Sequence, residues 1–148
     1  MPTDIISTAD AVVTAINASG LLAAFPGALP AVRAYVPQYD LQDMGVLHVT
    51  VVPKGIVESI GSRSVLQYDH SVDVAVQKRA QAGGTLTDLD ALTDLAQELA
   101  ASFRLARLAA FPSACWIRTE HLALYDTDHL QRLHQFTSVF TLTFRVIR

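Results

Sequence analysis

Apolar and polar positions alternate regularly in two stretches near the middle of the chain. From Leu47 to Val52 and from Val65 to Gln77, apolar residues recur at every second position, and many are β-branched. This period predicts two β-strands with one buried face each, because successive side chains of a strand point to opposite sides of a sheet. The other face of the longer strand is mostly small or polar, so we expect it to be wet. Pro53–Ser64 predicts a long polar loop between the strands.

Two stretches with apolar residues at three- and four-residue steps predict α-helices on either side of these strands. Residues 4–18 place their apolar side chains on one face. Residues 89–108 do the same, with Thr87 as the N-cap, acidic side chains near the start, and Arg104 and Arg107 near the end. These charges suit the helix dipole, which favours negative charge at the N-terminus and positive charge at the C-terminus.

Three further extended segments complete the predicted fold. Ala31–Val36 reads as a short strand at a sheet edge, and Cys115–Tyr125 reads as a full strand. A polar connector, Asp126–Leu133, then leads into a terminal strand, Phe136–Ile147, whose aromatic side chains should face the helices. The order α-(β)-β-β-α-β-β, with short links, predicts a single α+β domain over residues 1–148. We expect a mainly antiparallel sheet packed by two helices.

Composition narrows the possible classes of function. Of the 148 residues, 51% are hydrophobic and 17% are charged, which supports a compact core and leaves apolar surface for a partner or for further copies of the chain. The net charge of −3 gives no overall basic surface for nucleic acid. Cys115 is the only cysteine, which suits a reducing cytoplasm. We expect neither a signal peptide nor a membrane span, because the N-terminal residues lack a basic segment and no long apolar window occurs.

The longer central strand holds the strongest candidates for chemistry. Asp69 and Asp73 lie four residues apart on one face, where carboxylates can serve acid–base work or bind Mg²⁺, and His70 is their neighbour in sequence. Small polar side chains share that face, so charged pairing with a neighbouring subunit is the favoured interpretation. A small cytosolic enzyme or ligand-binding domain that uses Asp69, His70 and Asp73 is the alternative.

Other sites of chemistry lack a supporting motif. The five histidines and the cysteine do not have zinc-site spacing, and the predicted loop contains no nucleophile or phosphate-binding motif. The loop does carry mixed charge at Lys54, Glu58 and Arg63, which is common in protein docking. Tyr35 and Tyr39, in a Pro-rich segment, are further interface candidates.

The order of these segments resembles the tail terminator proteins of long-tailed bacteriophages, also called tail completion or head–tail joining proteins. The resemblance covers nearly the whole chain and includes a helix before the sheet, a long helix after the second strand and a closing β-pair. The stretches that carry it are IISTADAVVTAIN, AVRAYVPQYDLQDMGVLHVTVVPK, SRSVLQYDHSVDVAVQKR and LTDLDALTDLAQELA.

This resemblance implies a structural role in the virion. Members of the family form a six-subunit ring on the finished tail tube, stop further addition of tube protein and provide the surface that joins the tail to the head connector. The resemblance implies no enzyme activity, no cofactor and no membrane association, and DNA crosses the ring without sequence-specific binding. We therefore expect synthesis in the host cytoplasm and a final place at the tail–neck junction. Another neck or baseplate component is the alternative within the structural class.

A ring of this kind needs two sets of contacts. The loop residues Lys54, Glu58 and Arg63 are expected to face the tube protein, the connector or the DNA channel. The subunit edges are expected near Ala31–Tyr39 and along the C-terminal strand, because exposed strand edges invite pairing and a ring interface joins two different surfaces. The residues assigned to these edges are Arg33, Tyr35, Tyr39, Asp69, Asp73 and Arg145.

Overall fold

A computed structural model describes residues 4–36, 45–79 and 86–148 of the chain. The domain is α+β, as predicted, but the described residues form three α-helices where the sequence predicted two. None of these helices has the length and hydropathy needed to span a membrane. The elements in chain order are α1 (Asp4–Ser19), a 3₁₀ turn (Leu21–Ala24), β1 (Val32–Arg33), β2 (His48–Ser62), β3 (Val65–Arg79), α2 (Leu86–Ser102), β4 (Arg107–Leu108), β5 (Phe111–Ala123), α3 (Thr127–Leu133) and β6 (Gln135–Ile147).

The six strands form one mixed sheet in the order β1-β2-β3-β6-β5-β4. β1 runs parallel to β2, and the other pairings are antiparallel. The C-terminal strand β6 therefore lies between β3 and β5, so the prediction that it forms an exposed edge is wrong. Pairing with β3 on one side and β5 on the other uses the backbone donors and acceptors that an edge strand would leave exposed.

The core lies between the sheet and helices α1 and α2. Phe140 and Phe144 of β6 are fully buried there, beside Val72 and Val74 of β3. The Phe144 ring also meets Phe103, just beyond α2, edge to face at a centroid distance of 6.2 Å. Burying each such side chain stabilises the fold by about 1.5–3 kcal/mol. We call this side of the sheet the helix face and the opposite side, on which α3 lies, the α3 face.

The predicted long loop between the two central strands is wrong. β2 continues to Ser62 and β3 begins at Val65, so only Arg63 and Ser64 form the turn. Ile56 pairs with His70 and Ile60 with Leu66 in this extension. The β-branched residues of the segment sustain the strand, and the register shifts near Lys54 and Gly61 absorb its irregularity. We call Lys54–Ser64 the distal hairpin.

The helices also differ from the prediction. α2 begins at Leu86, so Thr87, the predicted N-cap, lies inside the helix. α2 ends at Ser102, six residues before the predicted end, and Leu105 then takes a left-handed conformation with φ of 57°. The chain turns there because β4 and Ala106 pair with β5, and this pairing outweighs local helix propensity. The predicted polar connector contains α3, whose N-cap Asp126 accepts a hydrogen bond from the His129 backbone at 3.1 Å.

Candidate protein-interaction site

The distal hairpin presents apolar side chains to solvent on both faces of the sheet. Ile56 and Val57 are more than half exposed, and Ile60 is 80% exposed. Among the described residues, β1 pairs with β2 only at Thr50 and Val51, so the outer edge of β2 is open beyond that point. Exposed apolar side chains along an open strand edge are typical of a protein-interaction surface.

The three charged residues predicted for docking are spread along this hairpin. Lys54 lies at its base on the α3 face, with its Nζ 3.7 Å from Asp73 Oδ1. Glu58 lies opposite Tyr68 on the helix face. The pKa of the Tyr68 hydroxyl is raised, first by desolvation and then by the Glu58 carboxylate. Arg63 is exposed in the turn. The structure therefore separates these residues onto two faces and the tip.

The predicted edge near β1 is an edge in the structure. The Nε of Arg33 donates a hydrogen bond of 2.6 Å to Asp10 Oδ1 on α1, and this contact raises the pKa of the Arg33 guanidinium. The same guanidinium lies 5.9 Å from the centre of the Tyr35 ring, which is 68% exposed. Tyr39 lies outside the described residues. Arg33 is thus fixed in position at an edge that displays an exposed aromatic ring.

The three remaining predicted edge residues lie together on the α3 face, away from the sheet edges. Arg145 donates to both carboxylate oxygens of Asp69, at 2.9 and 3.2 Å, across neighbouring strands. Asp73 accepts a 2.7 Å hydrogen bond from Thr141. The Asp69 contact raises the pKa of the Arg145 guanidinium. These side chains therefore contact partners within the chain, and their role between subunits stays a prediction.

The residues of the enzyme alternative do not converge. His70 points to the helix face, where it is 1% exposed and its Nδ1 lies 3.0 Å from the Thr8 hydroxyl of α1. Asp69 and Asp73 point to the α3 face, because side chains alternate along a strand and both residues lie an odd number of positions from His70. Burial lowers the pKa of His70, and the nearby carboxylates offset this only in part. The arrangement suits a neutral core histidine that anchors α1 to the sheet.

Clefts lie on both faces of the sheet in the part of the chain that the structure describes. One, of about 460 Å³, lies on the α3 face and is lined by Lys54, Asp73 and Thr141 among others. The other, of about 810 Å³, lies between α2 and the outer part of β5 and includes Arg104 and Trp116. Within the described parts of the chain, no group of three or more His, Cys, Asp or Glu side chains could hold a metal ion.

The second sheet edge, formed by β4 and β5, was missed by the sequence analysis. β4 pairs with β5 only near Cys115 and Phe111, so the rest of β5 has no described strand on its outer side. Leu105, at the corner before β4, is 86% exposed. The sequence predicts a helix through residue 108, so it gives no sign of the turn that brings Leu105 to this edge. Within residues 4–36, 45–79 and 86–148, the sheet thus has a partly open edge on each side.

Comparisons with known proteins find similarity in structure and none in sequence-family models or curated sequences. No protein-family model matches the chain, and no curated protein matches it. A chain of the virion of a native gene transfer agent particle has a TM-score of 0.64 and 17% identity, over 94% of this chain and 93% of that chain. At this identity the likeness shows a shared fold.

A second solved structure is the sheath/tube terminator of an extracellular contractile injection system in its extended state. It has a TM-score of 0.48 and 14% identity, and the alignment covers all of this chain and 58% of that chain. This chain therefore spans little more than half the length of that terminator.

Proposed function

We propose that this protein is a tail terminator, a structural subunit that forms a ring on the completed tail tube. The observation that carries the proposal is the fold shared with a virion chain over more than nine-tenths of both chains. In this role the ring, a hexamer as in the family it resembles, stops addition of tube protein and provides the surface that joins the head. Its partners are further copies of itself, the tail tube protein and the head connector, and its place is the tail–neck junction of the virion.

The geometry supports a structural role, in which the protein acts through contacts with other proteins, better than a catalytic role. The core packs two helices against the sheet, while Val32, Ile56, Val57 and Ile60 expose apolar side chains on the edge formed by β1 and β2. The exposed tip of the distal hairpin, around Arg63, is the part we assign to the tube protein or the connector. DNA passes through the ring without sequence-specific contacts, in line with a net charge of −3. Neither catalysis nor a cofactor is needed for this role.

Deletion of the gene that encodes this protein, followed by production of the particles, tests the proposal. Without it, electron microscopy should show tails of uncontrolled length and heads that carry no tail, and expression of the intact chain in trans should restore both. Tails of normal length that remain joined to heads would refute the role. Tails of normal length that fail to join heads would instead indicate another neck component.

A further inference from the structure

The first turn of α1, Asp4–Thr8, lies over a histidine of the central strand. His70 of β3 is 1% exposed, and its Nδ1 lies 3.0 Å from the hydroxyl oxygen of Thr8. The Thr8 hydroxyl donates its hydrogen to the backbone carbonyl of Asp4 at 2.7 Å, so it can only accept from the ring. The neutral ring therefore carries its hydrogen on Nδ1, and a second proton has to enter at Nε2 of a ring that is shielded from water.

The surroundings of His70 disfavour this second proton. The uncharged residues that share its row on the neighbouring strands are Ile56, Phe144 and Trp116. The charged groups around the ring are Asp4 of α1, Asp69 of β3 and Arg148, which follows β6. Burial lowers the pKa of His70 and Arg148 acts in the same direction, while the two carboxylates offset this only in part. Glu58 lies one row away, opposite Tyr68.

Arg148 fastens the first turn at its outer end. Its Nε and Nη2 donate to the two carboxylate oxygens of Asp4 at 3.1 and 3.0 Å, and both side chains are partly exposed. The Arg148 backbone also exchanges two hydrogen bonds with Leu66, next to the turn of the distal hairpin. Residues Asp4–Ser7 are only partly buried, whereas Ala9, Val12 and Ile16 further along α1 lie in the core. The first turn can therefore leave the sheet while the rest of α1 stays packed.

We propose that the first turn of α1 is a flap that acid opens, because opening uncovers His70 and lets the ring bind a proton from water. In the open form His70 regains its ordinary pKa of about 6.5, whereas in the closed form burial keeps the pKa lower. Opening therefore takes up a proton, and its equilibrium constant rises as the pH falls below about 6.5, by at most about tenfold per pH unit. Opening also parts Asp4 from Arg148 and so loosens the connection between α1 and the distal hairpin.

Amide hydrogen exchange, read by mass spectrometry with fragmentation to single residues, measures this opening. In a regular helix the amides of Thr8 to Ala11 donate to the carbonyls of Asp4 to Ser7, so they lose protection when the first turn opens. After correction for intrinsic exchange rates, their opening constant should rise several-fold between pH 7 and pH 5. The ceiling is about 25-fold, which is the effect of one group with an ordinary pKa of about 6.5 that stays neutral in the closed form.

A reference amide separates local opening from unfolding of the whole domain. Val74 is fully buried in β3 and reports global unfolding. The amides of Thr8 to Ala11 should open more often than that of Val74, and low concentrations of urea should hardly change their opening, because a local opening exposes little surface. Equal opening constants for the two sets would overturn the flap.

Three variants identify the group that responds to acid, and circular dichroism establishes that each is folded. His70→Gln does not titrate in this range, so the opening constant should become independent of pH. Arg148→Gln should raise the opening constant at pH 7 and keep its rise on acidification, because the histidine remains. Arg33→Gln is the matched control, since it removes a similar contact, with Asp10 on the same helix, and should leave the exchange of the first turn unchanged.

A pH dependence that persists in His70→Gln would assign the response to other groups and overturn the proposal. The native chain supplies a second measure, because slow exchange of the imidazole C2 hydrogen, also read by mass spectrometry, follows the protonation of His70. The ring should stay neutral at pH values where an exposed imidazole is half protonated. Titration of His70 at its ordinary pKa in the folded chain would overturn the flap even if the variant does not fold.

Discussion

Leu105 combines an unusual backbone with an exposed side chain, so its replacement by glycine has a predictable sign. The left-handed conformation at φ of 57° costs a non-glycine residue about 1–2 kcal/mol. Glycine removes this cost but gains unfolded-state freedom worth about 0.4–1 kcal/mol. Little burial is lost, because the side chain is 86% exposed in the isolated chain. We therefore expect Leu105→Gly to stabilise the isolated chain by about 0.5–1 kcal/mol.

Thermal unfolding followed by circular dichroism measures this effect. For a chain of this size the gain corresponds to a rise in midpoint of about 1–4 °C. Leu86→Gly is the matched control, because Leu86 is 80% exposed at the start of α2 and is not among the positive-φ residues. Its replacement should lower stability by up to about 1 kcal/mol, the cost of glycine in a helix. A Leu105→Gly midpoint that falls as far as that of Leu86→Gly would refute the backbone argument.

Three further changes test the interior and the α3 face. In the native protein, burial lowers the pKa of His70, so the unfolded chain binds a proton more readily than the folded one. The free energy of unfolding should therefore fall as the pH drops below about 6.5, the ordinary pKa of histidine. His70→Gln removes this group and should flatten the pH dependence of stability measured by urea unfolding. Phe144→Ala should cost about 3–5 kcal/mol in urea unfolding, since the ring is fully buried. Asp69→Ala and Arg145→Ala should show a coupling of only about 0.5–1 kcal/mol in a double-mutant cycle, because the pair is partly exposed.

Each of these tests has a result that would contradict it. An unchanged pH slope in His70→Gln would mean that other groups set the acid sensitivity. A loss below about 1 kcal/mol for Phe144→Ala would be too small for a fully buried ring. A coupling near zero for Asp69 and Arg145 would show that their bidentate contact does not hold in solution.

The sequence predicted the parts of the fold that depend on local burial. The alternation in Val65–Gln77 and Phe136–Ile147 identified two strands and the face that meets the helices, and Leu92, Leu95 and Leu99 identified the buried side of α2. These patterns are informative because each residue's burial follows from its position within its own element. The edge position of β1 was also correct, because proline limits pairing on one side.

Order and extent of the strands depended on distant parts of the chain. The sequence contains no local signal that β6 enters between β3 and β5, since a strand with one apolar face fits the centre or the edge equally well. The sequence predicts a loop for the distal hairpin because Lys54, Gly55 and Gly61 interrupt the alternating pattern, whereas pairing with β3 holds the segment as a strand. Whether a segment with a weak alternating pattern becomes a strand or a loop depends on the strand with which it pairs.

The candidate site divides in the same way. Sequence alone selected Lys54, Glu58, Arg63, Arg33 and Tyr35 as exposed, charged or aromatic residues suited to contact. It could not place Leu105 at a sheet edge, because the turn there depends on the pairing of Ala106 and β4 with β5. Nor could it place Lys54 and Glu58 on opposite faces of the sheet, since that depends on the register between β2 and β3. The sequence determined which residues favour burial or contact. The tertiary structure decided where the sheet ends, because a strand lies at an edge only when no other strand pairs with its outer side.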